Sequence, residues 1–132
     1  MNRCKTESTQ KIFVYAEQRS TLRLINKNQV KSIKIDVDGC AITSGLRCDF
    51  MHIANNTEMY IELKGTDIGH AIEQIKKTIC TLGNSLVKDK ICFIICVRSP
   101  LASTEIQTLQ REFRKTHKSN LIIKSSPYDH SY

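Results

Sequence analysis

The sequence predicts a single α/β domain, residues 1–132, in which a mixed central β-sheet is flanked by helices. Two observations carry this prediction. A pair of short apolar strands is joined by a tight turn near the middle of the chain, and in the second half amphipathic helices alternate with apolar strands. A chain of 132 residues suits one domain that buries about two-thirds of the surface its unfolded chain exposes.

The N-terminal segment, residues 1–29, gives the weakest signal. Ile12, Val14 and Ala16 alternate with other residues as they do in a β-strand, yet Lys11–Glu17 also suits a short helix. The segment therefore stays unassigned, with strand and helix both open.

Alternating aliphatic residues between Lys31 and Ile42 predict a strand with one buried face. The aliphatic positions are Ile33, Ile35 and Val37, and the positions between them include Lys34 and Asp36. Asp38–Gly39 is a turn signal, so we expect this strand to end there and a return strand to begin at Cys40.

A β-hairpin is predicted next. Its strands are the apolar-rich runs Cys48–Ile53 and Met59–Leu63. Asn55–Asn56 suits a two-residue turn between them because Asn tolerates a positive φ better than most residues.

Two helices and two strands follow the hairpin. The first helix has an apolar stripe that ends at Gly83, and its members are Ile68, Ala71, Ile72, Ile75, Ile79 and Leu82. Ile91–Val97 is nearly continuous in apolar residues, which indicates a strand that is covered on both faces and parallel to its neighbour. A second helix, a short strand at Asn120–Lys124 and a flexible tail at Ser126–Tyr132 complete the predicted order.

The hairpin register gathers charged side chains at one end of one face. If Ala54 pairs with Thr57, Asp49 lies directly opposite Glu62, with Cβ atoms about 5 Å apart. Lys64 shares the face of Glu62, because side chains alternate along a strand. Two carboxylates this close repel each other unless a cation lies between them, and hard oxygen ligands suit Mg²⁺ or Mn²⁺.

An Asp, a gap and then Glu-x-Lys at the end of a strand resembles the active site of the PD-(D/E)XK nucleases, which include many restriction endonucleases and Holliday-junction resolvases. The matching residues are Asp49, Glu62 and Lys64, and Cys48 stands where the motif has Pro. The resemblance implies a restriction-endonuclease-like fold in which Asp49, Glu62 and the Leu63 carbonyl hold Mg²⁺ or Mn²⁺. It also implies that Lys64 positions the attacking water, in a hydrolysis without a covalent intermediate.

The resemblance adds further candidates. In several branches of the superfamily, a Gln on the helix after the Glu-x-Lys strand reaches the site, and Gln74 matches that placement. A helix before the sheet often contributes another acidic residue, and the sequence does not separate Glu7 from Glu17 in that role. Asp36 or Asp38 could add a metal ligand, although a turn or a solvent-facing position is the commoner role for such residues.

Composition bears on partners and compartment. The net charge of +7 favours a polyanionic partner, with nucleic acid, DNA above all, as the first expectation. No run approaches the roughly 18 apolar residues of a membrane helix, and the start of the chain lacks the apolar segment of a signal peptide. We therefore expect a cytoplasmic protein with no membrane partner and with all six cysteines reduced.

The sequence supports more than one function. A metal-dependent nuclease is the first. A non-catalytic module that binds nucleic acid or protein on the same fold is the second, and it includes an accessory subunit of a defence or mobile-element system. A homodimer and a separate protein partner both remain open.

Overall fold

The computed structural model describes residues 2–64, 67–87, 89–98 and 101–132. A short 3₁₀ turn at Asn2–Cys4 precedes nine strands and two helices among these residues. The strands are β1 (Lys5–Ser8), β2 (Ile12–Glu17), β3 (Ser20–Ile25), β4 (Ser32–Asp36), β5 (Phe50–Ala54), β6 (Thr57–Lys64), β7 (Asp89–Cys96), β8 (Ser119–Ser125) and β9 (Tyr128–Ser131). The helices are α1 (Ile68–Leu82) and α2 (Ser103–His117), and neither is both long enough and apolar enough to span a membrane.

A six-stranded mixed sheet forms the centre of the fold, in the order β1-β4-β5-β6-β7-β8. The first four of these strands are antiparallel to their neighbours, whereas β6, β7 and β8 run parallel. Because parallel strands need crossover connections, α1 joins β6 to β7 and α2 joins β7 to β8. The expectation of an α/β fold with a mixed sheet and flanking helices is confirmed at this level.

The hairpin between β5 and β6 has the predicted register. Phe50 pairs with Ile61 and Ala54 pairs with Thr57. Asn55 and Asn56 have φ values of 52° and 55°, the left-handed conformation that a two-residue hairpin turn of type I′ requires at both positions.

The central sheet is covered differently on its two faces. One face packs against both helices, and residues in that layer include Met51, Tyr60, Ile72, Ile75, Ile94 and Phe113. The other face packs against a second sheet of three strands, in the order β2-β3-β9. Strand β7 lies between these layers, and this double coverage explains its nearly unbroken run of apolar residues.

The second sheet was not foreseen. Lys11–Glu17, left open between strand and helix, contains β2, and β2 forms an antiparallel hairpin with β3 that buries Phe13 and Tyr15. In place of the expected flexible tail, Tyr128–Ser131 is strand β9, which pairs in parallel with β3. The second sheet therefore joins the β2–β3 hairpin to a strand more than 100 residues later in the chain.

A buried chain of hydrogen bonds holds the C-terminal residue in this sheet. The hydroxyl of Tyr15 lies 2.7 Å from Nδ1 of His52, and Nε2 of His52 lies 2.7 Å from the hydroxyl of Tyr132. The Tyr132 hydroxyl also lies 2.7 Å from Oγ of Ser32. Burial lowers the pKa of His52 to about 4, so its ring is neutral at physiological pH and bridges the two tyrosines.

Two further expectations need correction. Cys4 and Cys40 are joined by a disulfide, with their Cα atoms 5.8 Å apart, whereas Cys48, Cys80, Cys92 and Cys96 are free. The disulfide links the first turn of the chain to the turn after β4. That turn holds a single isolated bridge between Asp38 and Ile42 instead of a return strand.

Candidate functional site

Asp49 lies just before β5 and is fixed against β6. Its backbone N–H donates to the carbonyl of Ile61 at 3.1 Å, and its Oδ2 accepts a hydrogen bond from the N–H of Leu63 at 2.8 Å. The carboxylate of Asp49 thus accepts the hydrogen bond from β6 that a backbone carbonyl of β5 would accept if the pairing of the two strands continued. The Leu63 carbonyl points to the same edge of β6 as the Leu63 N–H, and therefore toward Asp49.

Glu62 is a buried acid beside a lysine. Its side chain is 1% exposed, and its Oε2 lies 3.2 Å from Nζ of Lys64, whose side chain is 16% exposed. Oε1 of Glu62 is buried and has no hydrogen-bond partner among the described residues. An unpaired buried acceptor costs about 1–3 kcal/mol, and more when it is charged, so this oxygen needs a proton or a cation.

Two more carboxylates reach the same end of the sheet. Glu17, Asp38 and Asp49 each offer one carboxylate oxygen, and these three atoms lie within 4.8 Å of one another. Glu17 is the last residue of β2, and Asp38 lies in the turn after β4. Asp49 therefore forms a group with this pair of exposed acids, and Glu62 lies outside that group.

The structure separates the candidates that the sequence left open. Glu7 lies on β1, where it is exposed and its nearest cation is Lys31 at 3.5 Å, so it is outside the acidic group that contains Glu17. Asp36 is exposed at the end of β4, on the face opposite Ile35, whereas Asp38 is in the group.

Gln74 and Arg47 line a cleft next to Asp38. The cleft has a volume of about 220 Å³, and its lining residues are Asp38, Gly45, Leu46, Arg47, His70 and Gln74. Nε2 of Gln74 donates to the Arg47 carbonyl at 3.0 Å, while its Oε1 is buried without a partner among the described residues. Gln74 thus reaches the cleft beside Asp38, but its amide nitrogen is bound to backbone.

Arg47 is the site residue that the sequence reasoning missed. Its Nε donates to Oδ1 of Asp38 at 2.8 Å and its Nη1 to the carbonyl of Gly45 at 2.7 Å. One signal could have found it. Antiparallel strands place the end of one beside the start of the next, so residues after β4 and before β5 meet at one edge of the sheet.

Burial and neighbouring carboxylates raise the pKa values of Asp49 and Glu62. Burial raises the pKa of Asp49 to about 7, Glu17 adds to the rise, and the Leu63 N–H and Lys64 oppose it. Burial and then the charge of Asp49 raise the pKa of Glu62 to about 8, against the opposing effect of Lys64. Four carboxylates therefore lie near the cations of Lys64 and Arg47. Protons on Asp49 and Glu62 limit the negative charge of the metal-free site, and a divalent cation would take the place of those protons.

We expect the metal-free protein to lose stability as pH rises through about 7 and 8. The folded state keeps protons on Asp49 and Glu62 that the unfolded chain has released at their usual pKa values of 3.8 and 4.5. Stability therefore falls as pH rises. His52 acts in the opposite direction below its unfolded value of 6.5, so the measurement is the melting temperature in EDTA at pH values above that.

The matched variant for this measurement is Glu62→Gln, which keeps the shape of the side chain and cannot titrate. Its melting temperature should change less with pH than that of the wild type over the same range. A melting temperature of the wild type that rises with pH in EDTA would contradict the assignment of these two groups.

Comparison with known proteins gives no family for this chain. No protein-family model matches it, and no significant match was found among curated proteins or solved structures.

Proposed function

We propose that this protein is a metal-dependent nuclease that hydrolyses phosphodiester bonds in nucleic acid, with DNA as the first candidate. The observation that carries the proposal is the buried Glu62, which has Lys64 on one oxygen and no partner among the described residues on the other, and on which the charge of Asp49 also acts. This is a costly arrangement for a structural site, because a well-packed apolar pair would avoid the desolvation of both charges.

The donor set fits Mg²⁺ or Mn²⁺. Asp49, Glu62 and the Leu63 carbonyl are hard oxygen donors at one edge of β6, and Glu17 and Asp38 bring two more carboxylates to Asp49. When bound there, the cation supplies Lewis-acid polarisation of a phosphoryl oxygen and lowers the pKa of a bound water. Because Asp49 and Glu62 must lose their protons to bind it, metal affinity should rise with pH.

In this proposal Lys64 orients the attacking water. Its ammonium is 3.2 Å from Oε2 of Glu62, and its side chain is mostly shielded from solvent, so it is held in one position beside the carboxylates. A preorganised cation of this kind stabilises the negative charge that develops on the phosphoryl group. Gln74 lines the adjoining cleft beside Asp38, and its buried Oε1 has no partner among the described residues.

The order of elements from β4 to β8 supports a restriction-endonuclease-like fold as part of the proposal. Three antiparallel strands lead into α1, then the parallel strand β7, then α2 and the parallel strand β8. In this arrangement β6 is a central strand and carries both Glu62 and Lys64.

The test is cleavage of labelled single-stranded, duplex and branched DNA and RNA, with Mg²⁺, with Mn²⁺ and with EDTA. We expect cleavage of at least one substrate with a divalent cation and none in EDTA. Absence of cleavage of every substrate with either metal would reject the nuclease proposal.

A second candidate function is binding of nucleic acid without cleavage. Two adjoining clefts of about 430 and 460 Å³ lie at the start of β7, the opposite end of the sheet from Glu62, and Lys90 and Lys118 line both. Arg114 lines one of them. Metal-independent binding that weakens steeply with salt, without any cleavage, would favour this candidate.

A further inference from the structure

Strand β2 is an exposed edge that differs from the other sheet edges of the described chain. The edge strands β1 and β9 have four residues each and carry charged side chains. At the edge strand β8, the carbonyl of Leu121 accepts a hydrogen bond from Gln110 on α2. Strand β2 has six residues, and Ile12 and Val14 on its outer face are 40% and 54% exposed. Long apolar edges of this kind pair with other strands unless something blocks them.

In β2, the backbone N–H and C=O groups of every second residue point to the free edge of the sheet. The Lys11 carbonyl accepts from the N–H of Asn26 on the β3 side, so odd-numbered residues point their backbone groups toward β3. Ile12, Val14 and Ala16 therefore point theirs away from the sheet. Among the described residues, the partner of this edge is the exposed side chain of Gln10, whose Nε2 donates to the Ile12 carbonyl.

We propose that β2 pairs with β2 of a second copy of this chain, antiparallel, with a two-fold axis at Val14. In this register Val14 lies opposite Val14 of the partner subunit, and Ile12 lies opposite Ala16 of the partner subunit. All three residues with free backbone groups then form both of their hydrogen bonds, and two three-stranded sheets become one of six strands. The exposed Gln10 side chain moves aside to allow this.

The charges at the two ends of β2 favour this register, and they favour a second copy of the chain as the partner of the free edge. Lys11 comes opposite Glu17 of the partner subunit, and Glu17 comes opposite Lys11 of the partner subunit, so each end of the joint carries an opposite-charge pair. A shift of two residues in one direction would set Lys11 against Tyr15, and a shift in the other would set Glu17 against Phe13. Either shift also leaves outward backbone groups unpaired.

The proposal goes beyond the nuclease function and stands without it. In the proposed dimer, the two-fold axis at Val14 relates the acidic groups of the two copies, and Glu17 of each copy is three residues from that axis. At about 3.4 Å per residue, the two Glu17 positions lie about 20 Å apart along the joined strands. Each copy therefore keeps its own acidic group at one end of the shared sheet.

Cysteine crosslinking at the axis tests the register. Directly opposed residues that share hydrogen bonds have Cα atoms about 5.5 Å apart, within the range of a disulfide. In a background with the exposed Cys80 changed to Ser, Val14→Cys should form a covalent dimer on mild oxidation. Ile12→Cys alone should stay monomeric on a denaturing gel, while a mixture of Ile12→Cys and Ala16→Cys chains should crosslink.

Sedimentation of the full chain tests the dimer itself. The wild type should sediment as a dimer at high micromolar concentration. Val14→Asp should be monomeric, and Lys11→Glu should dimerise more weakly because it faces Glu17 of the partner subunit. A monomeric wild type at that concentration, or crosslinking of Ile12→Cys as complete as that of Val14→Cys, would overturn the proposal.

Discussion

We expect Lys64→Ala to slow the proposed metal-dependent cleavage by roughly a hundredfold or more, while the protein stays folded and still binds metal. The size of the effect follows from the loss of one preorganised electrostatic group, which commonly costs about 10²–10³ in rate. The fold should survive because Lys64 is the last residue of β6, at the edge of the helix-facing layer. The measurement is the single-turnover cleavage rate, with a thermal melt and a metal titration of the same preparation.

The chain offers a close control in Lys90→Ala. Lys90 is also mostly shielded, at 12% exposure, and its Nζ lies 3.3 Å from a second buried acid of β6, Glu58. That pair is at the opposite end of the strand, and Glu58 has further donors in the Tyr60 hydroxyl and the Asn84 N–H. Lys90→Ala therefore removes the same kind of ion pair away from the acidic group. Because Lys90 also lines the two clefts considered for nucleic-acid binding, the rates are compared at saturating substrate, where Lys90→Ala should affect stability without a comparable loss of rate.

A second readout distinguishes a role in chemistry from a merely structural one. Lys64 opposes the effects of burial and of neighbouring acids on the pKa values of Asp49 and Glu62. Its removal should move the acid limb of the pH–rate profile to higher pH. Equal rates for Lys64→Ala and wild type, or an equal loss in Lys90→Ala, would remove Lys64 from the proposed mechanism.

Local signals were enough to predict the hairpin that carries the candidate site. The turn at Asn55–Asn56 and the alternation of β6 are properties of a few adjacent residues, and together they set the register that places Asp49 against β6 near Glu62. The buried strand β7 and the stripe of α1 were predictable for the same reason. Each depends on a pattern within one element.

The second sheet and its contribution to the site depend on contacts between the two ends of the chain. Strand β9 pairs with β3, and Arg23 bonds Asp129 at a separation of 106 residues, a distance over which no local pattern carries information. The Tyr132 hydroxyl is fixed by His52, 80 residues away. Glu17 reaches the acidic group only because this sheet positions the end of β2, and so the sequence could not choose it over Glu7.

Asp49→Asn should weaken Mn²⁺ binding by about a hundredfold or more and reduce cleavage to background. Loss of a residue that only orients a metal ligand already costs about 10–100-fold in affinity. Asp49 lies with Glu17 and Asp38, and its charge also acts on Glu62, so its loss should cost at least as much. An Asn oxygen can still accept the hydrogen bond from the Leu63 N–H, so the hairpin should keep its register. Isothermal titration with Mn²⁺ measures the affinity directly, and melts report the fold.

Two controls distinguish the loss of a metal ligand from a general loss of negative charge. Asp36→Asn removes the same charge from the end of β4, outside the group of Glu17, Asp38 and Asp49, and should leave Mn²⁺ affinity nearly unchanged. Glu17→Gln should weaken binding and Glu7→Gln should not, because only the first lies within reach of Asp49. If Asp36→Asn weakened Mn²⁺ binding as much as Asp49→Asn, the cation would be responding to net charge, and the metal site at β6 would have to be abandoned.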